Sequence, residues 1–425
     1  MSEPMRGVRV NGDRLWQAIM EMARIGATAS GGVDRLALTD LDKEARDLFI
    51  RWVSEAGCTV TVDAIGNIFA HRAGSDDRRP PVMTGSHLDT QPNGGKFDGA
   101  YGVMAGLEVV RTLNDVGYQT AAPIEIAVWT NEEGSRFAPC LIGSGVFAGV
   151  FALDEGLACS DGDGKTIGEE LKRIGYAGSR ESSGHPVAAY IASHIEQGPI
   201  LEAEATTIGV VSGVLGIRWY EAVITGQASH AGPTPMLLRR DALVGAARLV
   251  QEVHSLGLAY LPDACATVGE IHASPNSRNV IPGQVVLTVD LRHSDARQLS
   301  RMEGDLRHTV TSIARDMKLH IALSRVMSLP PASFAGECID VIREEADGLG
   351  LTHRDIISGA GQDAAHLALV APAAMVFIPC EGGISHNEME NASPFDAAAG
   401  CDVLLRTLVR LADRKATRRK RPHPF

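Results

Sequence analysis

Apolar positions follow two periods along this chain and switch between them several times. "LDKEARDLFIRWVSEAG" (residues 41–57) carries its apolar residues at helical spacing. "TVTVDAIGNIFAH" (59–71) alternates as a strand does and predicts a strand pair turning at Gly66-Asn67. "PPVMTGSH" predicts a short strand, "GVMAGLEVVRTLNDVG" a helix and "IEIAVWT" a further strand. Such alternation predicts an α/β layer built on a mostly parallel sheet.

The middle of the chain has a different order. From about Gly216 it predicts a strand ("RWYEAVITG"), a helix ("DALVGAARLVQEVHSLG"), two strands ("ACATVGEIHA" and "GQVVLTVDLRH"), a helix ("ARQLSRMEGDLRHTVTSIARDM") and a strand ("HIALSRVM"). This β-α-β-β-α-β order is the ferredoxin-like pattern, which folds as its own unit. "SLPPAS" closes it. The α/β pattern then returns with a helix near Cys338–Gly348, a strand "AAMVFIPC" and a final helix "FDAAAGCDVLLRTLVRLADRK". The expected organisation is a discontinuous domain over residues 1–215 and 330–425, with residues 216–329 inserted.

Composition narrows the picture. A length of 425 residues suits two domains, and a net charge of -12 argues against nucleic acid as a partner. The basic C-terminal "RKATRRKRPHPF" is expected to be a solvated end. Seven scattered cysteines with no C-x-x-C predict reduced thiols in a cytoplasmic protein. No apolar run is long enough to span a membrane, and the first residues lack a signal-peptide core.

Chemistry concentrates where apolar runs end. "AVWTNEEGSRF" places Glu132 and Glu133 side by side after a strand, although like charges disfavour each other unless a cation intervenes. "GSHLDTQPNGGKFDGAYG" supplies His87, Asp89 and Asp98; "YIASHIEQGP" supplies His194 and Glu196; "CEGGISHNEMEN" supplies His386. One histidine among 14 would mean little. Carboxylates and imidazoles gathered at several strand ends suit a zinc, manganese, cobalt or nickel site. "DGDGKT" fails as a phosphate loop because Cys159 replaces the first glycine, and as a calcium loop because Lys172 replaces the last glutamate. "GSGVFAG" lacks dinucleotide-binding spacing. Both read as turns.

Taken together, H-x-D, a glycine pair followed by D-G, E-E, His and a late His resemble the dinuclear metallopeptidase and amidase family M20. "WTNEEGSRFAPCLIGSGVFAG", "HIEQGP", "GQASHAGPTPM" and "NVIPGQVVLTVDLRH" are similar to its N-carbamoyl-L-amino acid hydrolase branch, whose neighbours are allantoate amidohydrolases and β-ureidopropionases. His194 stands where peptidase branches usually have a carboxylate, which disfavours a dipeptidase or N-acyl amino acid hydrolase. The resemblance implies an exopeptidase-like catalytic domain with a mixed central sheet, and an inserted ferredoxin-like domain serving as lid and homodimer contact. It implies two divalent metal ions (Mn, Zn, Co or Ni) bridged by Asp98. His87 and His194 join one ion, and Glu133 and His386 the other. Glu132 is implied as the proton carrier, and Asp89 as the carboxylate that hydrogen-bonds His87. Adjacent residues of an extended segment point opposite ways, so Glu133 would face metal while Glu132 faces substrate. His230 is implied to reach the partner subunit's site and stabilise an oxyanion; without the resemblance it reads as a turn histidine capping backbone. Gln197, Asn279 and Arg292 are implied to bind substrate, Arg292 by a bidentate grip on a carboxylate. Gly359 and Ala360, in "SGAGQDAAH", would offer backbone amides to that carboxylate. Many relatives have histidine where Gln362 stands. The implied substrate is an N-carbamoyl amino acid, with no nucleic-acid or membrane partner.

Overall fold

The apolar runs become strands in the computed structural model, which describes residues 5, 7–181 and 184–414. In chain order the first are β1 (Thr59–Val62), β2 (Ile68–Arg72), β3 (Val82–His87), β4 (Ile124–Trp129), β5 (Ala189–Ile195) and β6 (Ile208–Val214). The middle holds β7 (Gly216–Thr225), β8 (Ser229–His230), β9 (Ala264–Thr267), β10 (Ile271–Ser274), β11 (Val280–Ile281), β12 (Gln284–His293) and β13 (His320–Leu329). β14 (Ala332–Ser333), β15 (His353–Ser358) and β16 (Ala373–Ile378) follow. The chain forms two units, Met1–Ser212 with Ser333–Phe425, and Gly213–Ala332.

The first unit is built on one sheet in the order β1-β2-β4-β3-β5-β16-β6-β14, with β15 also paired to β6. β4, β3, β5 and β16 run parallel. The flanking pairs β1/β2, β2/β4 and β16/β6 are antiparallel. The sheet is therefore mixed, as the resemblance implies, and not the mostly parallel layer that the apolar pattern alone predicts. The cause at one edge is local. The turn after β1 is too short for a crossover, and Gly66 takes a φ of 86° there, so β1 and β2 must form a hairpin. β3, β4, β5 and β16 are buried along their whole length, as parallel strands covered on both faces are. Helices Ala100–Asp115 and Pro394–Ala412 pack on this centre.

In the second unit the order is β13-β7-β12-β10, with β9 beside β10 on the same edge of β12. β7 and β12 pair from Gly216↔His293 to Thr225↔Gln284. Their inward residues, among them Tyr220, Ile224, Leu287 and Leu291, meet helices Ala242–Ala259 and Ala296–Met317 in a separate core. "ACATVGEIHA" is two strands instead of one. It breaks around Gly269, and both pieces pair with β12. "GSGVFAG" is also corrected: Ile142–Phe147 is a short helix. "DGDGKT" is a turn in which the Asp161 carboxylate accepts from the Asp163 and Lys165 amides. Among the described residues no helix is long and apolar enough to cross a membrane. The basic C-terminal segment lies outside the described residues from position 415 onward.

Candidate active site

Four parallel strands deliver their carboxyl ends to one edge of the sheet, where open α/β sheets form their crevices. β3 ends on His87, opposite Trp129 at the end of β4. His194 lies in β5 opposite Phe377 of β16. His386 sits in the loop after β16. Asp98 precedes Gly99, the N-cap of helix Ala100–Asp115. Gly99 has a φ of 65°, and a Cβ there would fall 2.4 Å from the His87 ring, so only glycine lets helix and imidazole meet this closely.

The three imidazoles converge on Asp98. Its Oδ1 lies 3.6 Å from His87 Nε2 and 3.1 Å from His194 Nε2, and its Oδ2 lies 3.2 Å from His386 Nε2. His386 Nε2 is also 3.5 Å from Glu133 Oε2. Two groups of donors therefore share Asp98: His87 with His194, and Glu133 with His386. His87 Nδ1 lies 2.8 Å from the Asp89 carbonyl, and His194 Nδ1 lies 2.9 Å from the Ile195 carbonyl. A carbonyl can only accept, so each Nδ1 carries hydrogen and the neutral ring turns its Nε2 lone pair towards Asp98. Lone pairs facing a carboxylate call for a proton or a cation between them.

Asp89 acts on His87 through its backbone carbonyl, not through its carboxylate as the resemblance implied; Oδ1 is 3.9 Å from the ring. The carboxylate accepts instead from the Glu132 amide at 3.3 Å and the Glu133 amide at 3.2 Å. Those glutamates lie in a bend rather than an extended segment, because Asn131 takes a φ of 54°. The bend still separates them. Glu132 Oε2 is 3.6 Å from His87 Nε2, while Glu133 meets His386 and accepts from the Gln91 amide and Gln91 Nε2. Glu196 takes no part, since its oxygens accept from the Ile200 and Leu201 amides.

Burial pushes the Glu132 carboxyl well above the ordinary range and Glu133 up to about 7. Asp98 goes the other way. Burial would raise it, but hydrogen bonds from the three histidines, formed when protons occupy those Nε2 positions, hold it well below. Asp363, which sequence reasoning passed over, is pushed up to about 7 by burial, and its Oδ1 has no hydrogen-bond partner. Glu390, also passed over, accepts from the Asp98 amide.

Gln197 Nε2 donates to Asp98 Oδ2 at 2.9 Å, and Gln362 Nε2 donates to Gln197 Oε1 at 3.1 Å. Gln362 thus fixes which end of the Gln197 amide faces Asp98. Ser358 Oγ donates to the Ala360 carbonyl, which shapes the turn carrying Gly359 and Ala360.

In the second unit, β8 pairs with β11 so that His230 lies opposite Val280, and the Ala231 amide donates to the Asn279 carbonyl. His230 Nδ1 accepts from the Gly232 amide at 3.0 Å, leaving Nε2 to carry the hydrogen of a neutral ring. Local capping and an outward donor are thus compatible. Arg292 grips Asp290, two residues away on the same face of β12, through Nε and Nη2.

The family model for Peptidase family M20/M25/M40 matches residues 83–410. The chain belongs to this family. It is 46% identical to an N-carbamoyl-L-amino-acid amidohydrolase of Rhizobium meliloti, over 97% of this chain and 99% of that protein. It is 32% identical to an allantoate amidohydrolase of Bacillus subtilis, over 92% and 95% of the two chains. The crystal structure of a hydantoinase/carbamoylase family amidase from Burkholderia multivorans matches at 57% identity and a TM-score of 0.93, covering 96% of this chain and all of that one. The M20 family is metal-dependent, and the donor set here fits a divalent ion. Donors around a tetrahedral zinc lie about 3.3 Å apart, and the contacts of Asp98 with its histidines span 3.1 to 3.6 Å.

Proposed function

We propose that this chain hydrolyses the linear amide C–N bond of N-carbamoyl-L-amino acids, giving amino acid, ammonia and carbon dioxide. The observation that carries the reading is the shared carboxylate Asp98 between two donor groups, with Glu132 close by but in neither. Two divalent ions, manganese, zinc, cobalt or nickel, would be held by His87, Asp98 and His194 and by Asp98, Glu133 and His386. Bound there, such ions polarise a carbonyl and acidify water. Glu132 takes a proton from the attacking water and returns it to the leaving nitrogen. Burial makes that carboxylate a stronger base, as proton transfer near neutral pH requires. Asp89 holds the glutamate bend and the His87 tautomer. Gln197 meets the carbamoyl group, and Gly359 and Ala360 offer amides to the carboxylate. His230 of one copy would supply an Nε2–H to the oxyanion in the other copy's site. Asn279 and Arg292 bind substrate, with Arg292 leaving Asp290 to do so.

Ammonia release tests the substrate. Protein reloaded with each metal is expected to show its highest kcat/KM on N-carbamoyl-L-α-amino acids. Preference for N-carbamoyl-β-alanine or allantoate would move the assignment to a neighbouring branch. Amine release from dipeptides alone would overturn it.

The same reading makes residues 216–329 a ferredoxin-like lid that joins two copies. The strand order β13-β7-β12-β10 supports the fold. Helix Ala242–Ala259 supports the dimer, exposing Leu243, Val244, Val250 and Leu258 away from its buried Ala246, Leu249 and Val253. Light scattering is expected to give twice the chain mass; a monomer at micromolar concentration refutes this contact. Seven free cysteines support a cytoplasmic location, which cell fractionation checks.

A further inference from the structure

His386 is the proposed ligand least held by its surroundings. Its side chain is 49% exposed, against 2% for His87 and 1% for His194. Its φ is 53°, and among the described residues no backbone carbonyl fixes its ring. The loop that carries it closes on itself, with the Glu381 amide donating to the Asn391 carbonyl and Asn391 Nδ2 to Glu381 Oε2. From this loop Glu390 turns inward and is only 2% exposed.

The Glu390 carboxylate joins two segments. Oε1 accepts from the Phe97 amide at 2.9 Å and the Asp98 amide at 3.0 Å. Oε2 accepts from Ser385 Oγ at 2.9 Å, on the residue beside His386. A Cβ on Gly95 would fall 2.0 Å from this carboxyl group, so the backbone is cleared for it. Among the described residues no lysine or arginine pairs with it; two backbone amides and the Ser385 hydroxyl donate to it, and His386 lies within electrostatic reach. A carboxylate buried on those terms is costly unless its bonds are well made.

We propose that Glu390 is a positioning residue that ties the Asp98 turn to the His386 loop and so sets the cation affinity of the Asp98–Glu133–His386 group without touching the cation. This rests on the two-cation reading above. The His87–Asp98–His194 group also contains Asp98 but has further supports in the Asp89 and Ile195 carbonyls, so the larger effect falls on the group that contains His386.

Calorimetric titration of the metal-free full chain with Mn2+ tests it. The natural chain is expected to show two classes of site. Glu390→Ala is expected to weaken one class by about 10–100-fold and the other distinctly less. Glu390→Gln is expected to retain both, because its amide oxygen accepts both backbone amides and its NH2 group donates to Ser385. Should Glu390→Ala not fold, Ser385→Ala, which removes the hydroxyl that donates to Glu390 at 2.9 Å and lies 3.4 Å from Asp98 Oδ2, is expected to weaken the same class more than the other. Equal weakening of both classes, no change in either, or a Glu390→Gln as weak as Glu390→Ala would overturn the proposal. A natural chain binding one Mn2+ would overturn it while leaving metal dependence intact; one binding none would overturn the metal reading itself.

Discussion

Replacing Glu132 with glutamine is expected to lower kcat for ammonia release by about 10²–10⁴-fold, the usual worth of a positioned proton carrier, while bound metal stays the same. Glutamine keeps the length of the side chain and the amide that donates to Asp89, but it cannot take a proton. Glu132 is outside both donor groups, so metal content separates its role from that of its neighbour. Glu133→Gln is the contrast, because it removes a charged donor facing His386 and is expected to lose metal. Measuring kcat and metal content on both variants decides the assignment. Full turnover in Glu132→Gln would remove its role as proton carrier, and lost metal in that variant would make it a ligand.

The roles of these neighbours also mark how far the sequence could be read. The apolar runs before His87, Glu132 and His194 are strands because a buried parallel strand needs uninterrupted apolar residues, which a sequence displays directly. β15 escaped notice because "HRDIIS" is only one-third apolar and is buried at alternate positions near its end. The task of Asp89 was misjudged for a different reason. Which of its oxygens meets His87 depends on the Asn131 backbone, whose left-handed φ turns two amides onto the carboxylate. No spacing rule encodes that. Glu390 was hidden by repetition, since "EGGISHNEMEN" offers three glutamates and only the folded loop distinguishes the inward one. Gln362 was visible only as a departure from the family pattern, and its bond to Gln197 had to be seen in three dimensions.

Between pH 5 and 9 the metal-free protein is expected to lose stability as pH rises, and Mn2+ is expected to reverse the trend. Burial holds Glu133 and Asp363 at about 7, so between the ordinary carboxylate range and that value the folded chain keeps protons that the unfolded chain has released. Stability then falls with rising pH. The bond to Asp98 holds His386 at about 9, and neighbouring carboxylates hold His87 well above its ordinary value against the effect of burial. Their contribution is complete below about 6.5 and is lost as pH climbs through the folded values, which is the same sign. His366 opposes this, because burial lowers it to about 4, but only below the ordinary histidine value. Asp98 acts on the acid side alone. A bound cation changes the balance. It needs deprotonated ligands, so its affinity grows with pH, and at 100 times Kd it stabilises the fold by about 2.7 kcal/mol. Melting temperatures of metal-free and Mn2+-loaded protein across this range check the prediction. A flat or rising metal-free profile, or no response to Mn2+ at pH 8, would refute it. The net charge of -12 also opposes folding as pH rises, and Asp98→Asn separates that general effect from the site. That variant removes the carboxylate shared by both donor groups, so its melting temperature is expected to ignore Mn2+ while the general charge effect remains.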